Sequence, residues 1–171
     1  MMRLSAVFLI LFTASTGFYM WYGDSVWETL SITFGVTSYH FIMRLLTGYV
    51  LDGILHNDVD HTRKWFREKP FERRLYRMLK VKKWKKYMPA FEPEYFDFKS
   101  RSAEELIKAG CQAEIVHEVI MVLSFCPTAL CIWFAPGALF VITSVLSALL
   151  DSVFVIMQRY NRPRLLRVVK Q

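Results

Sequence analysis

At 171 residues the chain has the size of one soluble domain, but its 54% hydrophobic content and mean hydropathy of +0.25 exceed the ordinary globular balance, which points to a bilayer as part of its solvent. Cys111, Cys126 and Cys131 are odd in number and lack metal-ligand spacing, which argues against a disulfide framework and predicts reduced, structural thiols. No glycine-rich phosphate loop, serine elbow or internal repeat occurs, so the familiar soluble catalytic classes are excluded.

A bilayer core takes roughly 20 mostly apolar residues per helix. The first such stretch, 4–22, ends in Phe18, Tyr19, Trp21 and Tyr22, rings that settle at a headgroup interface. Only Arg3 precedes it, its apolar part is longer than a signal core and hydrophobic segments follow, so a retained span is expected rather than a cleaved signal peptide. The second stretch, 26–55, carries Thr33, Thr37, His40, Arg44, Gly48 and Asp52 at helical spacing on one face. Charge at membrane depth is costly, so this stripe is expected to look into a helical bundle. In the plainer alternative Arg44 snorkels or pairs with Asp52.

Segment 56–110 and the tail 158–171 hold every Lys and Arg except Arg3 and Arg44. By the positive-inside bias this predicts a multi-pass cell-membrane protein with both termini and the middle segment cytoplasmic. Lys80 to Lys86 carries Lys82, Lys85, Lys86 and an interleaved Trp84, which suits a membrane surface or a phosphorylated substrate rather than nucleic acid. Topology signalling alone is the simpler reading of those charges. His56, Asp58, Asp60 and His61 offer metal-type side chains, although such clusters also cap helices.

Segments 115–134 and 139–157 are separated by Ala135, Pro136 and Gly137 and should form an antiparallel hairpin. The expected fold is an all-α membrane protein, one domain over 1–171, with about four transmembrane helices and a basic cytoplasmic or interfacial segment between the second and third.

Chemistry then falls to polar residues near the membrane. Glu114, His117 and Glu118 share a helical face, with Glu114 beside both others. A carboxylate that orients an imidazole makes a general base for an attacking hydroxyl, and His40 is a candidate to join from across the bundle. Glu-x-x-His also serves metal sites, but the matching second copy is missing, so no metal is expected. A hydrogen-bonded polar patch is the structural alternative.

On the last segment Ser144, Ser147, Asp151 and Gln158 follow helical spacing, and Gln158-Arg159-Tyr160-Asn161-Arg162-Pro163-Arg164-Leu165 comes next. Arginines grip phosphate or carboxylate bidentately, and Pro163 is expected to interrupt the helix, which suits an anionic substrate group. The alternative is a positive-inside stop followed by a surface helix.

That eight-residue motif, with Lys82-Lys83-Trp84-Lys85 and Ala113-Glu114-Ile115-Val116-His117, resembles the glycosyl-4,4'-diaponeurosporenoate acyltransferase family from about residue 61 onward. The resemblance implies acyl transfer from an activated fatty acid, as acyl-CoA or acyl carrier protein, to a sugar hydroxyl of a glycosylated carotenoid. Glu114, His117, Gln158, Arg159, Asn161 and Arg162 carry over. Glu118 departs from the family's aromatic residue after the histidine, which affects the base's surroundings or the acceptor.

Together these readings give His117 as base, Glu114 as its orienter, and Arg44, Arg159, Arg162 and the Lys82 to Lys86 run as substrate contacts, with no bound cofactor. The partners expected are a membrane lipid or glycolipid and the bilayer, with an oligomer or partner subunit compatible. A noncatalytic lipid-binding or partner subunit is the other class, because polar residues also glue helices together. Methyl or hydride transfer on a lipid is a third, with no cofactor fingerprint to support it.

Overall fold

The computed structural model describes residues 2–88, 101–132 and 137–169, which are helical with short connections and contain no strand among the described residues. The helices are α1 (Met2–Tyr22), α2 (Ser25–Leu55), α3 (Glu72–Met78), α4 (Val81–Trp84), α5 (Ala103–Leu123) and α6 (Gly137–Val169). Short 3-10 turns lie at Lys64–Phe66, Lys85–Tyr87 and Cys126–Ile132.

Three helical stretches, Met2–Tyr22, Ala103–Ile132 and Gly137–Val169, are long and apolar enough to cross a membrane, which identifies a membrane protein by length and composition. The fourth expected span is corrected: α2 has 31 residues, ample for a bilayer, but does not reach that apolarity. His40 and Arg44 in mid-helix, together with its hydroxyl residues, are the reason. Thr29, Thr33 and Thr37 each donate to the carbonyl four residues back at 2.8–2.9 Å, which satisfies the hydroxyls within the helix.

Two further boundaries move. The expected helix at 115–134 starts at Ala103, where Ser102 and Glu105 form a reciprocal capping box: Ser102 N donates to Glu105 at 2.7 Å and Glu105 N to Ser102 Oγ at 3.3 Å. The expected turn at Ala135 and Pro136 lies outside the described residues. The fourth segment does not stop near 157, because α6 continues through Pro163 to Val169. Pro163 removes one N–H, yet the helix holds through side-chain contacts on both sides of it.

Two compact units divide the chain. One comprises Met1–Val50 and Val119–Leu150. Here α1 ends at Gly23, whose φ of +65° favours glycine, and Gly23 N closes the turn on Tyr19 O at 2.8 Å. Asp24 then caps α2 by accepting from Val26 N at 3.0 Å. Phe8 stacks on Phe41, Phe18 packs on Trp27, and Thr16 and Ser31 share a 2.6 Å hydrogen bond. Val36, Met43, Ile120, Phe140 and Ala148 are buried, whereas Val141, Ile142, Val145, Leu146 and Leu149 are exposed, an apolar face suited to lipid.

The other unit comprises Leu51–Glu118 and Asp151–Gln171. Its core has two clusters. Val59, Phe66, Ile107 and Cys111 form one, backed by Leu55, Ile115, Leu165 and Leu166. Tyr76, Val81 and Tyr160 form the other, with Trp84 and Ile156 against it. Trp84, expected as an interfacial anchor, thus packs on this core and donates Nε1–H to Leu79 O at 2.9 Å.

Candidate functional site

Within the second unit, α5 and α6 bring a histidine and a carboxylate together. His117 Nδ1 lies 2.9 Å from Asp151 Oδ1, and Asp151 is only 1% exposed. A carboxylate accepts only, so Nδ1 donates and Nε2 keeps its lone pair. The imidazole is also clamped by Phe154, stacked at 4.6 Å with 7° between the rings. Nε2 has no hydrogen bond to any described residue, and the side chain is 23% exposed. An oriented, accessible imidazole with this geometry can take a proton from a hydroxyl.

Asp151, not Glu114, is the partner. The expectation that Glu114 orients His117 is overturned by a second network one turn away on α5. Glu114 is fully buried, with Oε1 2.7 Å from Arg159 Nη2 and Oε2 paired with Arg162 Nη2. Arg159 also holds Glu72 at 2.7 Å and reaches Glu118 at 3.7 Å. The same two arginines pin the 64–66 turn, Arg159 donating to Trp65 O at 3.1 Å and Arg162 to Phe66 O at 2.9 Å. Guanidiniums already paired with carboxylates and carbonyls have little left for a substrate phosphate, so the anion-binding role expected of Arg159 and Arg162 is corrected to an internal lattice.

The other candidates fall in different places. Gln158 is buried against Gly110, where an added Cβ would meet its Oε1 at 3.3 Å. Asn161 Oδ1 accepts from Lys85 Nζ at 2.7 Å. Lys82 is exposed, and the side chain of Lys86 lies outside the described residues. His40 and Arg44 belong to the first unit: His40 is buried beside Tyr39, and Arg44 donates to His40 O at 3.2 Å and to Ser147 Oγ at 2.7 Å. Ser147 in turn shares a 2.7 Å bond with Ser124, so Arg44 faces the helical interior as its stripe implied. Asp52 accepts from Gln112 Nε2 at 2.8 Å.

The cluster after α2 is a helix terminator. His56 and Asn57 take left-handed φ values of 48° and 55°, and Asn57 N donates to Gln112 at 2.7 Å. Asp58 pairs with Lys108 at 2.8 Å and Asp60 accepts from Thr62, contacts that hold both carboxyls below their usual range. Among the described residues no three His, Cys, Asp or Glu side chains are grouped to hold a metal.

A cavity of about 210 Å³ adjoins the lattice, lined chiefly by Trp65, Phe71, Glu72, Tyr76, Glu118 and Arg159. Trp65 Nε1 donates to Glu118 at 3.0 Å and Tyr76 Oη to Glu72 at 2.9 Å. Burial first, then the Glu72 carboxylate, pushes the Tyr76 phenol up from its ordinary value. Sequence reasoning missed Asp151 as a partner, and it missed Glu72 and Trp65 altogether. One signal was available for Glu72: an acidic residue within an otherwise basic stretch invites a search for an arginine partner.

No curated protein and no solved structure matches the chain. A family model described as glycosyl-4,4'-diaponeurosporenoate acyltransferase matches residues 62–171, well over half of the sequence. The matched stretch contains the His117–Asp151 pair, both lattice arginines with Glu72 and Glu114, and Trp65 at the cavity. With its helical, membrane-type build and this shared stretch, the chain belongs to the glycosyl-4,4'-diaponeurosporenoate acyltransferase family.

Proposed function

We propose that this protein is a membrane-embedded acyltransferase that esterifies a hydroxyl of a glycosylated carotenoid or a related glycolipid. The observation that carries the reading is the His117–Asp151 pair in a member of this family. Asp151 fixes the ring, and Nε2 of His117 takes the proton of the acceptor hydroxyl as its oxygen attacks the acyl carbonyl. The carbon–sulfur bond of an acyl thioester breaks, and the departing thiolate recovers the proton from the imidazolium. The acyl donor is an activated fatty acid on coenzyme A or acyl carrier protein.

The cavity receives the sugar. Its volume of about 210 Å³ is below that of pockets for whole drug-sized ligands, roughly 300–1,000 Å³, and suits a headgroup whose lipid portion stays in the bilayer. Trp65 and Tyr76 offer aromatic surface, while Glu72, Glu118 and Arg159 supply hydrogen-bonding edges. The concentration of Lys and Arg in 56–110 and 158–171 supports a cytoplasmic placement of that segment and of the tail, where water-soluble acyl donors are made.

The test uses purified protein in lipid nanodiscs with labelled acyl donors and a glycolipid panel, read by mass spectrometry, with His117→Ala alongside. Acylated product from the native chain, lost in the variant while the variant stays folded, is the expected result. No product across the panel, together with stoichiometric copurification of another protein, would replace the enzyme by a noncatalytic partner subunit.

A further inference from the structure

The tail motif contains one cation that the lattice does not use. Arg164 lies with its guanidinium carbon 3.5 Å from the centroid of the Tyr160 ring, and its Nη1 donates to Tyr160 O. Lys85, from the 3-10 turn after α4, places Nζ 5.0 Å from the same centroid. Tyr160 itself is 6% exposed and edge-on to Tyr76 at 5.4 Å, so the platform between these cations is fixed by the core.

Two positive groups held against one ring repel each other, and the repulsion is ordinarily relieved by a carboxylate. Arg159 and Arg162 have such partners; among the described residues neither Lys85 nor Arg164 has one within 4.0 Å. Glu68, whose carboxyl senses Arg164 and Arg167, is engaged by Arg73 at 2.9 Å. Burial first and Arg164 second lower the Lys85 ammonium from its usual value, as expected for a cation that lacks a counter-charge. The ring attraction offsets part of this cost but brings no negative charge.

Hydrogen-bonding capacity is also left over. An ammonium has three donors, and Lys85 spends one on Asn161 Oδ1 at 2.7 Å. A guanidinium has five, of which Arg164 spends one on the Tyr160 carbonyl. The remainder form a fork and a point charge, a combination matched to the oxygens of a phosphate.

We propose that Lys85 and Arg164, mounted on Tyr160 with Asn161 orienting the lysine, form a receptor for a phosphate group. The group comes either from a soluble phosphorylated molecule such as the acyl donor or from an anionic lipid headgroup. The first source deepens the acyl-transfer reading and rests on it; the second does not depend on it.

Binding is measured without turnover, so failure of the site and failure of the enzymatic reading are distinguishable. In one arm coenzyme A is titrated calorimetrically into the full chain in phosphatidylcholine nanodiscs. In the other, native mass spectrometry counts phosphatidylglycerol retained from mixed discs. The expected result is binding in one arm that Lys85→Gln and Arg164→Gln each weaken by about tenfold, while the exposed Lys64→Gln leaves it unchanged. Which arm responds identifies the source. Lys85 is only half-buried, so its variant keeps the test decisive should Arg164→Gln fail to fold. Native-like binding by Lys85→Gln, or no binding of either probe by the native chain, overturns the proposal.

Discussion

Replacing Asp151 by Asn separates orientation from mere burial at the base. The substitution preserves shape, and the site can accommodate it because the carboxylate is a buried group packed beside a clamped ring. What changes is the hydrogen bond at Nδ1, which lies 2.9 Å from a carboxylate oxygen. An amide can present its NH2 there instead, which shifts the imidazole proton to Nε2 and removes the lone pair that takes the substrate proton. A positioned general base supplies about 10²–10⁴-fold, equivalent to roughly 3–5 kcal/mol of barrier, and a wrong tautomer forfeits most of it. Asp151→Asn should therefore lower kcat by about 10²–10⁴-fold with little change in KM for the acceptor. The assay is initial-rate acylation in nanodiscs under saturating donor, with the unfolding transition followed in parallel. A variant that unfolds like the native chain and retains kcat within about threefold would refute the base assignment.

Three other outcomes follow from the lattice and the cavity. Glu114→Leu strands the buried Arg162 guanidinium and takes one carboxylate from Arg159, and should cost about 3–5 kcal/mol of stability, read by chemical denaturation in detergent; an unchanged midpoint would remove the lattice as a structural element. Trp65→Phe keeps an aromatic face but loses the 3.0 Å bond to Glu118, and should raise acceptor KM about three- to tenfold at near-constant kcat; an unaltered KM would place the sugar elsewhere. Tyr76 has its phenol pKa raised by burial and Glu72, so the native state holds this proton more tightly than the unfolded chain, and stability declines as pH rises above the ordinary tyrosine value of about 10. Tyr76→Phe should flatten that decline between about pH 9 and 11, and parallel native and variant curves would contradict it.

The sequence disclosed what one helix can reveal about itself. Segments 4–22 and 26–55 correspond closely to α1 and α2, because continuous apolarity and a polar stripe are local properties. Arg44 was legible as an interior residue, since a charge at that depth has few other places to go. The start of α5 was hidden by a search for apolar runs, whereas the Ser102 to Glu105 capping pattern marks it plainly. Glu114 was assigned to His117 because spacing rules see only neighbours three and four residues away on the same helix. Its true partners, Arg159 and Arg162, stand on α6 and arrive through tertiary packing, as does Asp151 beside His117. His56 offered itself as a ligand because composition does not reveal a left-handed backbone.

The electrostatics of the second unit sort its two proposed ligands. The cavity is edged by the carboxylates of Glu72 and Glu118 and by two cations, Lys69 and Arg159, of which Arg159 is already shared with Glu72 and Glu114. Such a mixed surface offers both acceptors and donors to neutral hydroxyls, which suits a sugar. Lys85 and Arg164 present a different balance, two cations without a carboxylate within reach among the described residues. Glu118 sharpens this division, because an aromatic residue in its place would remove both a carboxylate and the anchor for Trp65 Nε1. Glu118 thus supports the proposal of a neutral, hydroxyl-rich acceptor at this cavity.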